Sequence, residues 1–199
     1  MTVVGRSTRE RILDTAFAIS TAENSSGISM RQLADACGLN VATIYHHFPS
    51  KADLLRAVLE ERGYPRRLGE DGPPPEVAAA ATPADAVRRL LSWLWEGTLA
   101  EEASWRLLIG EGLRGEPAAR VEAAQLVALL EPALQGWLRT VAPAFDDRAP
   151  ALAGLMRSVL LSMALEHLAL GPDDDRAAAR IEELVQALRL GGPEPTSSQ

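Results

Sequence analysis

The sequence contains few of the residues on which disulfide frameworks, metal sites and cofactor sites depend. One cysteine, Cys37, occurs in 199 residues, so no disulfide can form within the chain, and we expect this thiol to be a small core residue. Two of the three histidines, His46 and His47, are adjacent. Adjacent side chains on a helix point about 100° apart and cannot easily chelate one ion. We therefore expect no metal and no other cofactor.

An excess of positive charge and an uninterrupted apolar run are also missing. The net charge is -7, but residues 1–63 carry seven basic and seven acidic side chains, so the acidic excess lies entirely in the remainder. A neutral N-terminal part can still bind DNA, through placed contacts rather than bulk attraction. The longest apolar stretch, residues 152–170, is interrupted by Arg157, Glu166 and His167. This argues against a membrane span, and we expect a cytoplasmic protein.

Helical periodicity is present almost throughout, and strand signals are nearly absent, so the predicted fold class is all-α. The first sixty residues contain four signals for helix starts. In chain order they are the capping boxes Ser7–Glu10 and Ser29–Gln32, the cap Asn40 and the pair Ser50–Asp53. Pro49 ends the third helix, because the residue before a proline is pushed out of helical geometry.

Beyond these helices, composition divides the chain. Residues 63–83 are rich in proline and glycine, which predicts a linker or mobile loop with a helical turn near residues 76–81. Further helices are predicted at residues 84–99, 104–113, 117–141, 150–170 and 173–190. Pro132 is expected to kink or split the third of these, and the tail 191–199 is expected to be disordered.

The second and third short helices have helix-turn-helix spacing, joined by residues 36–39. The third presents Thr43, His46 and His47 on the side away from Ile44 and Phe48. A helix of two turns with small outward side chains fits the major groove of DNA. Lys51 opens the next helix, where free N–H groups favour an anion such as a phosphate.

At these residues the chain resembles the TetR family of bacterial regulators. The segments that carry the resemblance are SMRQLADACGL at residues 29–39 and IYHHFPSKADL at residues 44–54, with Cys37 where the family usually has alanine. The resemblance implies a homodimer on a palindromic double-stranded operator and a C-terminal helical domain that binds a small-molecule effector. By matching positions it implies phosphate contacts from Arg31, Tyr45, His47 and Lys51, and base contacts from Asn40, Val41, Ala42, Thr43 and His46.

The resemblance completes the expected domain organisation. The predicted parts are a helix-turn-helix domain with a three-helix head (1–50), a connecting helix (51–62), the linker (63–83), a helical ligand-binding and dimerisation domain (84–190) and the tail (191–199). The helices around residues 152–170 and 181–188 are expected to form the dimer interface, with Leu184 and Leu188 within it.

An effector site is expected where aromatic and sulfur-containing side chains gather in the C-terminal part. The candidate residues are Trp93, Trp105, Met163, Glu166 and His167. Large aromatics and methionines line adaptable apolar cavities, although they are also ordinary core residues. Such a site favours an apolar or aromatic molecule that bears one hydrogen-bonding group, because a highly charged ligand would need several paired charges.

These observations favour a DNA-binding transcriptional regulator, a repressor that a ligand releases from its operator. One alternative is a constitutive helix-turn-helix protein of architectural or recombinase type, which a compact C-terminal bundle without a pocket would favour. Another is an enzyme. An enzyme would require a nucleophile with a base, paired carboxylates or a phosphate-cradling loop, and the sequence shows none of these patterns.

Overall fold

The computed structural model describes residues 7–21, 28–61 and 72–190, and within these ranges every regular element is a helix. This confirms the predicted all-α class. The helices are α1 (Thr8–Thr21), α2 (Met30–Cys37), α3 (Val41–His47), α4 (Lys51–Glu61), α5 (Pro75–Ala78), α6 (Pro83–Ala100), α7 (Glu102–Leu113), α8 (Pro117–Val141), α9 (Ala149–Leu170) and α10 (Asp174–Leu190), with a 3-10 helix at Pro143–Arg148.

Local capping explains why α1 and α4 begin where they do. The Ser7 N–H donates to the Glu10 carboxylate at 2.7 Å, and the Glu10 N–H donates to Ser7 Oγ at 3.2 Å. Both bonds of the predicted capping box are therefore present. At α4 the Ser50 hydroxyl accepts the Asp53 N–H at 3.1 Å and donates to the Asp53 carboxylate at 2.7 Å.

The predicted capping box at Ser29 is wrong. Ser29 occupies the N-cap position of α2 with extended backbone, but its side chain makes no capping hydrogen bond. The start of α2 is held from outside instead, because the N–H of the preceding residue, Ile28, donates to the Glu111 carboxylate at 3.0 Å. A distant side chain therefore contacts the backbone just before α2, where no local cap is made.

The turn between α2 and α3 is closed by backbone geometry that favours glycine. Gly38 has a φ of 65°, in the left-handed region. This lets its own N–H reach the Asp35 carbonyl at 3.1 Å and the Leu39 N–H reach the Ala34 carbonyl at 2.9 Å. The side chain of Asn40 then accepts the Thr43 N–H at 2.8 Å, which confirms the predicted cap of α3.

The described residues fall into two compact units. The first unit consists of the described residues in the ranges 1–67 and 101–128. It therefore includes α1 to α4, α7 and the first part of α8. Helix α7 packs on α1 within this unit. Its largest fully buried side chains are Ile12, Leu33, Ile44, Leu54, Leu55, Leu107 and Glu111.

The other unit takes in the described residues of 68–100 and 129–199. Its core is contributed by α6, the second part of α8, α9 and α10, and centres on Leu90, Leu91, Leu134, Leu138, Met156 and Val185. Arg88 of α6 donates to the carboxylates of Asp85 and of Glu182 on α10, which ties these two helices at the rim of the core.

Several boundaries differ from expectation. Helix α8 continues through Pro132 and is not split there. Of the predicted linker, residues 75–78 form α5 with Val77 buried, and residues 63–71 lie outside the described residues, as does the tail 191–199. The 3-10 helix was missed, although Asp146 within it accepts from Arg139 at 3.0 Å.

Among the described residues, one helical stretch, Pro143–Leu170, is long and apolar enough to cross a membrane by length and composition alone. It consists of the 3-10 helix and α9. The inward face of α9, with Leu152, Met156 and Leu160, is buried in the core of the second unit. A helix with one buried face is ordinary in a soluble bundle, and length and composition do not distinguish this case from a span.

Candidate nucleic-acid interface

Helix α3 has one buried and one exposed face. Ile44 is fully buried and Phe48, just after the helix, is 2% exposed, so these two residues anchor α3 to the core of the first unit. On the opposite side Val41 is 42% exposed and Tyr45 48% exposed. The exposed face carries small and hydrogen-bonding side chains, which is the composition that base readout in the major groove requires.

All nine side chains that the sequence assigns to DNA are accessible in the structure. Asn40, Val41, Ala42, Tyr45 and His46 are exposed, and Thr43 and His47 are half-buried. Arg31 is exposed on α2, and among the described residues no carboxylate pairs with it. Lys51 is half-buried at the first position of α4. The structure therefore places these nine residues on α2, on α3 and its N-cap, and at the start of α4.

Two arginines of α1 secure the helix-turn-helix, and the sequence analysis assigned no role to either. Arg11 donates to the Cys37 carbonyl, at the C-terminus of α2, at 3.1 Å. Arg9 lies over the Phe48 ring at 5.3 Å from its centroid and also pairs with Glu61 at 3.6 Å. A cation at a helix C-terminus complements the helix dipole, so Arg11 stabilises α2 as well as fixing its position.

Lys51 does not point to solvent as a free cation. Its Nζ lies 2.8 Å from Glu111 Oε2 and 3.3 Å from Glu116 Oε2, and 29% of its side chain is exposed. We call Lys51, Glu111 and Glu116 the Lys51 clamp. Neither carboxylate was predicted from the sequence to lie at this site. Glu111 had a detectable signal, because it lies three and four residues after Leu108 and Leu107, on the buried face of the amphipathic pattern.

Glu111 is a buried charge with hydrogen bonds at one carboxylate oxygen and an ion pair at the other. The residue is 0% exposed; its Oε1 accepts from the Ile28 N–H at 3.0 Å and from Arg114 at 2.9 Å, while Oε2 faces Lys51. Burial on its own raises the pKa of this carboxyl. The hydrogen bonds from Lys51, Ile28 and Arg114 outweigh burial and hold the pKa of Glu111 below its ordinary value.

The structure brings together three of the five candidate effector residues. Met163, Glu166 and His167 line a shallow depression in the second unit with Trp95, Asp173, Arg176 and Ala177. The depression has room for about one water molecule. Trp95 was not predicted at this site, although its ring packs edge-on against His167 with centroids 5.8 Å apart.

The other two candidates lie elsewhere. Trp93 packs edge-on against Trp137, with ring centroids 5.5 Å apart. Trp105 is half-buried on α7, in the first unit.

Two arginines of α10 pair with the Glu166 carboxylate. Its Oε1 accepts from Arg180 at 3.2 Å, and Arg176 lies 3.8 Å from its Oε2. The hydrogen bond from Arg180 is the main cause that lowers the pKa of Glu166.

Comparison with known proteins finds a family model that matches the N-terminal helices. The sequence model described as "Bacterial regulatory proteins, tetR family" matches residues 12–58, which confirms the predicted resemblance. The HTH-type transcriptional regulator SrpR of Pseudomonas putida is 36% identical over 61 residues, 31% of this chain and 29% of SrpR. The HTH-type transcriptional repressor KstR of Rhodococcus jostii (strain RHA1) is 25% identical over 185 residues, 90% of this chain and 82% of KstR.

The solved structures extend the likeness to the rest of the fold. A transcriptional regulator from Rhodococcus sp. Rha1 is similar with a TM-score of 0.63 and 19% sequence identity, over 95% of this chain and 100% of that one. At this identity the likeness shows the fold alone. The first curated relatives are matched over less than half of their own length, from 24% to 47%. SrpR, KstR and the Rhodococcus protein are named as regulators of transcription and not as enzymes.

The charge on Glu111 is expected to stabilise the first unit in a pH-dependent way. Because the folded-state pKa lies below the ordinary value, the contribution is complete above the ordinary pKa and is lost as pH falls through the folded-state pKa. We expect Glu111→Gln to lower the free energy of unfolding at neutral pH by about 1–3 kcal/mol. The difference from the parent protein should shrink in acid, as measured by urea unfolding followed by circular dichroism at several pH values.

The matched control is Glu102→Gln on the same helix, where the carboxylate pairs with Arg106 near the surface at 2.6 Å. We expect this change to cost less than about 0.5 kcal/mol. A Glu111→Gln difference that stayed constant from neutral to acid pH would contradict a stabilising charge at this position.

Proposed function

We propose, on the premise that the N-terminal part of this chain is a DNA-binding domain of the tetR family, that the protein is a transcriptional repressor that acts as a homodimer on a palindromic operator. The observation that carries the proposal is the exposed face of α3, where Val41, Tyr45 and His46 are exposed while Ile44 and Phe48 anchor the helix. KstR, which matches most of this chain, is named a repressor, and this supports repression over activation.

The nine accessible residues divide into two proposed roles. Arg31, Tyr45, His47 and Lys51 bind phosphates, which sets orientation and affinity without reading sequence. Asn40, Val41, Ala42, Thr43 and His46 contact base edges in the major groove. A neutral first part of the chain needs such placed contacts, because the whole chain, at -7, is repelled by DNA at long range.

The homodimer is supported by the outward face of α9, which is uncharged along its whole length. This face consists of Ala151, Gly154, Leu155, Ser158, Leu161, Ser162, Leu165 and Ala169. Leu155, Leu161 and Leu165 are 53%, 48% and 44% exposed, which is costly for leucines in water unless another surface covers them. A second copy presenting the same face fits a two-fold interface and a two-fold operator.

The effector site that we propose is the depression at Trp95, Met163 and His167, and the effector is a small apolar or aromatic molecule with one hydrogen-bonding group. Trp95 and Met163 supply apolar surface, His167 supplies a hydrogen-bonding group, and Glu166 is already neutralised by arginines. An effector would have to enlarge the depression, and binding to that enlarged state would shift the population away from the DNA-binding state. The small size of the depression favours the alternative of constitutive DNA binding.

The soluble state and the cytoplasm are part of the same proposal. A protein that binds an operator works in the compartment that holds the DNA. The apolar outward face of α9 is assigned here to a second copy and not to lipid.

The DNA contacts are tested by comparing Arg31→Ala with Thr43→Ala and His46→Ala on a selected operator and on random duplex. Arg31→Ala removes a phosphate contact, so binding should weaken about equally on both duplexes. The number of counterions released on binding, read from the slope of log affinity against log salt, should fall by about one. Thr43→Ala and His46→Ala should change base preference by about 1–3 kcal/mol for a good contact. Fluorescence anisotropy over a range of salt concentrations measures both effects.

Arg120→Ala is the control for loss of an exposed arginine in the same unit. It should leave both affinities near the parental value. The α3 assignment would be wrong if Arg31→Ala, Thr43→Ala and His46→Ala all bound both duplexes like the parent.

The dimer is tested on the outward face of α9 rather than at the residues that sequence predicted. Leu184 is 8% exposed in the core of its own unit and Leu188 packs against that core, so their role as interface residues is replaced by a core role. The double change Leu161→Glu with Leu165→Glu should give folded monomers, because two charges cannot be buried against a second copy. Sedimentation velocity gives the mass and circular dichroism confirms the helical fold.

Leu113→Glu is the matched control, since Leu113 is 82% exposed on α7. It should remain dimeric. A folded double variant that kept the parental mass would count against this face as the interface.

The effector site is tested by tryptophan fluorescence with a panel of small aromatic compounds. A compound that releases the operator should change the emission of the parent, and Trp95→Phe should remove that change and weaken release. Trp137→Phe is the control, because Trp137 packs against Trp93 away from the depression. If Trp105→Phe alone abolished the response, the site would lie at Trp105 instead. If no compound of the panel released DNA, constitutive binding would be favoured.

A further inference from the structure

The Lys51 clamp joins the start of α4 to the end of α7 and to the residue that precedes α8. Lys51 is the first residue of α4, Glu111 lies near the end of α7, and Glu116 directly precedes α8. The Lys51 ammonium faces one carboxylate oxygen of each acid, at 2.8 Å and 3.3 Å. All three residues belong to the first unit.

The two carboxylates are not equivalent. Glu111 is fully buried and its other oxygen is bound by the Ile28 N–H and by Arg114. Glu116 has 18% of its side chain exposed, and Lys51 is its one ion-pair partner among the described residues. Glu111 therefore keeps a cation and a backbone donor whether or not Glu116 carries a charge, whereas Glu116 depends on Lys51.

The two carboxylates neutralise the positive charge with which Lys51 would bind a phosphate. An ammonium has three N–H donors, and the two carboxylates within 3.3 Å, one of them shared with Arg114, compensate its single charge. A phosphate that approaches Lys51 meets a locally neutral or negative group rather than a free cation. The phosphate then keeps its own counterion, and its contact with Lys51 adds little to the DNA affinity or to the salt dependence of binding.

We propose that Glu111 and Glu116 compete with DNA phosphate for Lys51, so that the Lys51 clamp is an autoinhibitory contact that lowers the DNA affinity of the head. The proposal rests on the proposed function, because it needs Lys51 to reach a phosphate. Glu116 is the adjustable member, since it is the less buried carboxylate. A displacement of residues 110–116 would release Lys51 and raise affinity, while the closed clamp lowers it.

A purely structural role for the clamp makes the opposite prediction. If Glu116 only helped to hold α4 in place, its neutralisation would loosen the head, and DNA binding would weaken or stay unchanged. Competition predicts tighter binding, and a loss of stability cannot produce a gain in affinity. The sign of the change therefore separates the two roles.

The experiment compares the full-length parent with Glu116→Gln on a random-sequence duplex over a range of salt concentrations. We expect Glu116→Gln to bind about two- to fivefold more tightly at low salt, which corresponds to the loss of one partly exposed ion pair. The number of counterions released on binding should rise by up to about one, because Lys51 then neutralises a phosphate.

Glu122→Gln is the matched control for removing a negative charge. Glu122 lies on α8 a little further along the chain, 12% of its side chain is exposed, and it pairs with Arg56 at 3.5 Å rather than with Lys51. This variant should bind DNA close to the parental level. An equal gain in Glu122→Gln would overturn the proposal, because it would show a general effect of net charge.

A double-mutant cycle with Lys51→Ala completes the test. The gain from Glu116→Gln should vanish when Lys51 is already alanine, and a gain that persisted there would overturn the proposal. So would unchanged or weaker binding by a folded Glu116→Gln protein. If the parent binds duplex and Arg31→Ala weakens it while Glu116→Gln has no effect, only the clamp fails. If the parent binds no duplex DNA, the proposed function fails and the clamp with it.

Discussion

The interaction on which the N-terminal unit depends is the compensation of one buried carboxylate. A charge removed from water costs several kcal/mol unless every lone pair finds a partner. Glu111 is compensated by hydrogen bonds from the Ile28 N–H and Arg114 at one oxygen and by an ion pair with Lys51 at the other. Ile28 and Lys51 lie just before α2 and at the start of α4, so a single side chain of α7 holds both ends of the segment that contains the helix-turn-helix.

This constraint explains why α7 packs with the head. Leu107 and Leu108 bury apolar surface in the first unit, but apolar contact alone tolerates sliding and rotation. A buried ion with directional partners does not tolerate them, because any shift leaves a donor or the carboxylate unsatisfied. The hydrophobic contacts thus supply most of the stability of this packing, and Glu111 supplies its register.

The sequence predicted well those features that short segments decide for themselves. The caps at Ser7 and Asn40 depend on residues three positions away, and the extent of α8 depends on its own periodicity. Ser29 has the same local pattern as Ser7 and still makes no cap, and the backbone just before it is bound by a residue more than eighty positions along the chain. Lys51 was likewise assigned to a phosphate contact from its local sequence alone. Nothing near it in sequence indicates that two carboxylates of a later helix reach its ammonium.

The division of labour within α3 has a consequence for how such a protein changes over evolutionary time. Ile44 and Phe48 hold the helix, Asn40 starts it, and Gly38 sets the turn before it. The exposed positions occupied by Val41, Ala42 and His46 contribute little to the core. Exchanges at these positions are therefore nearly free of a stability penalty. A lineage that carries this scaffold can drift from one operator to another, and duplicated copies can diverge in their target sites while folding equally well.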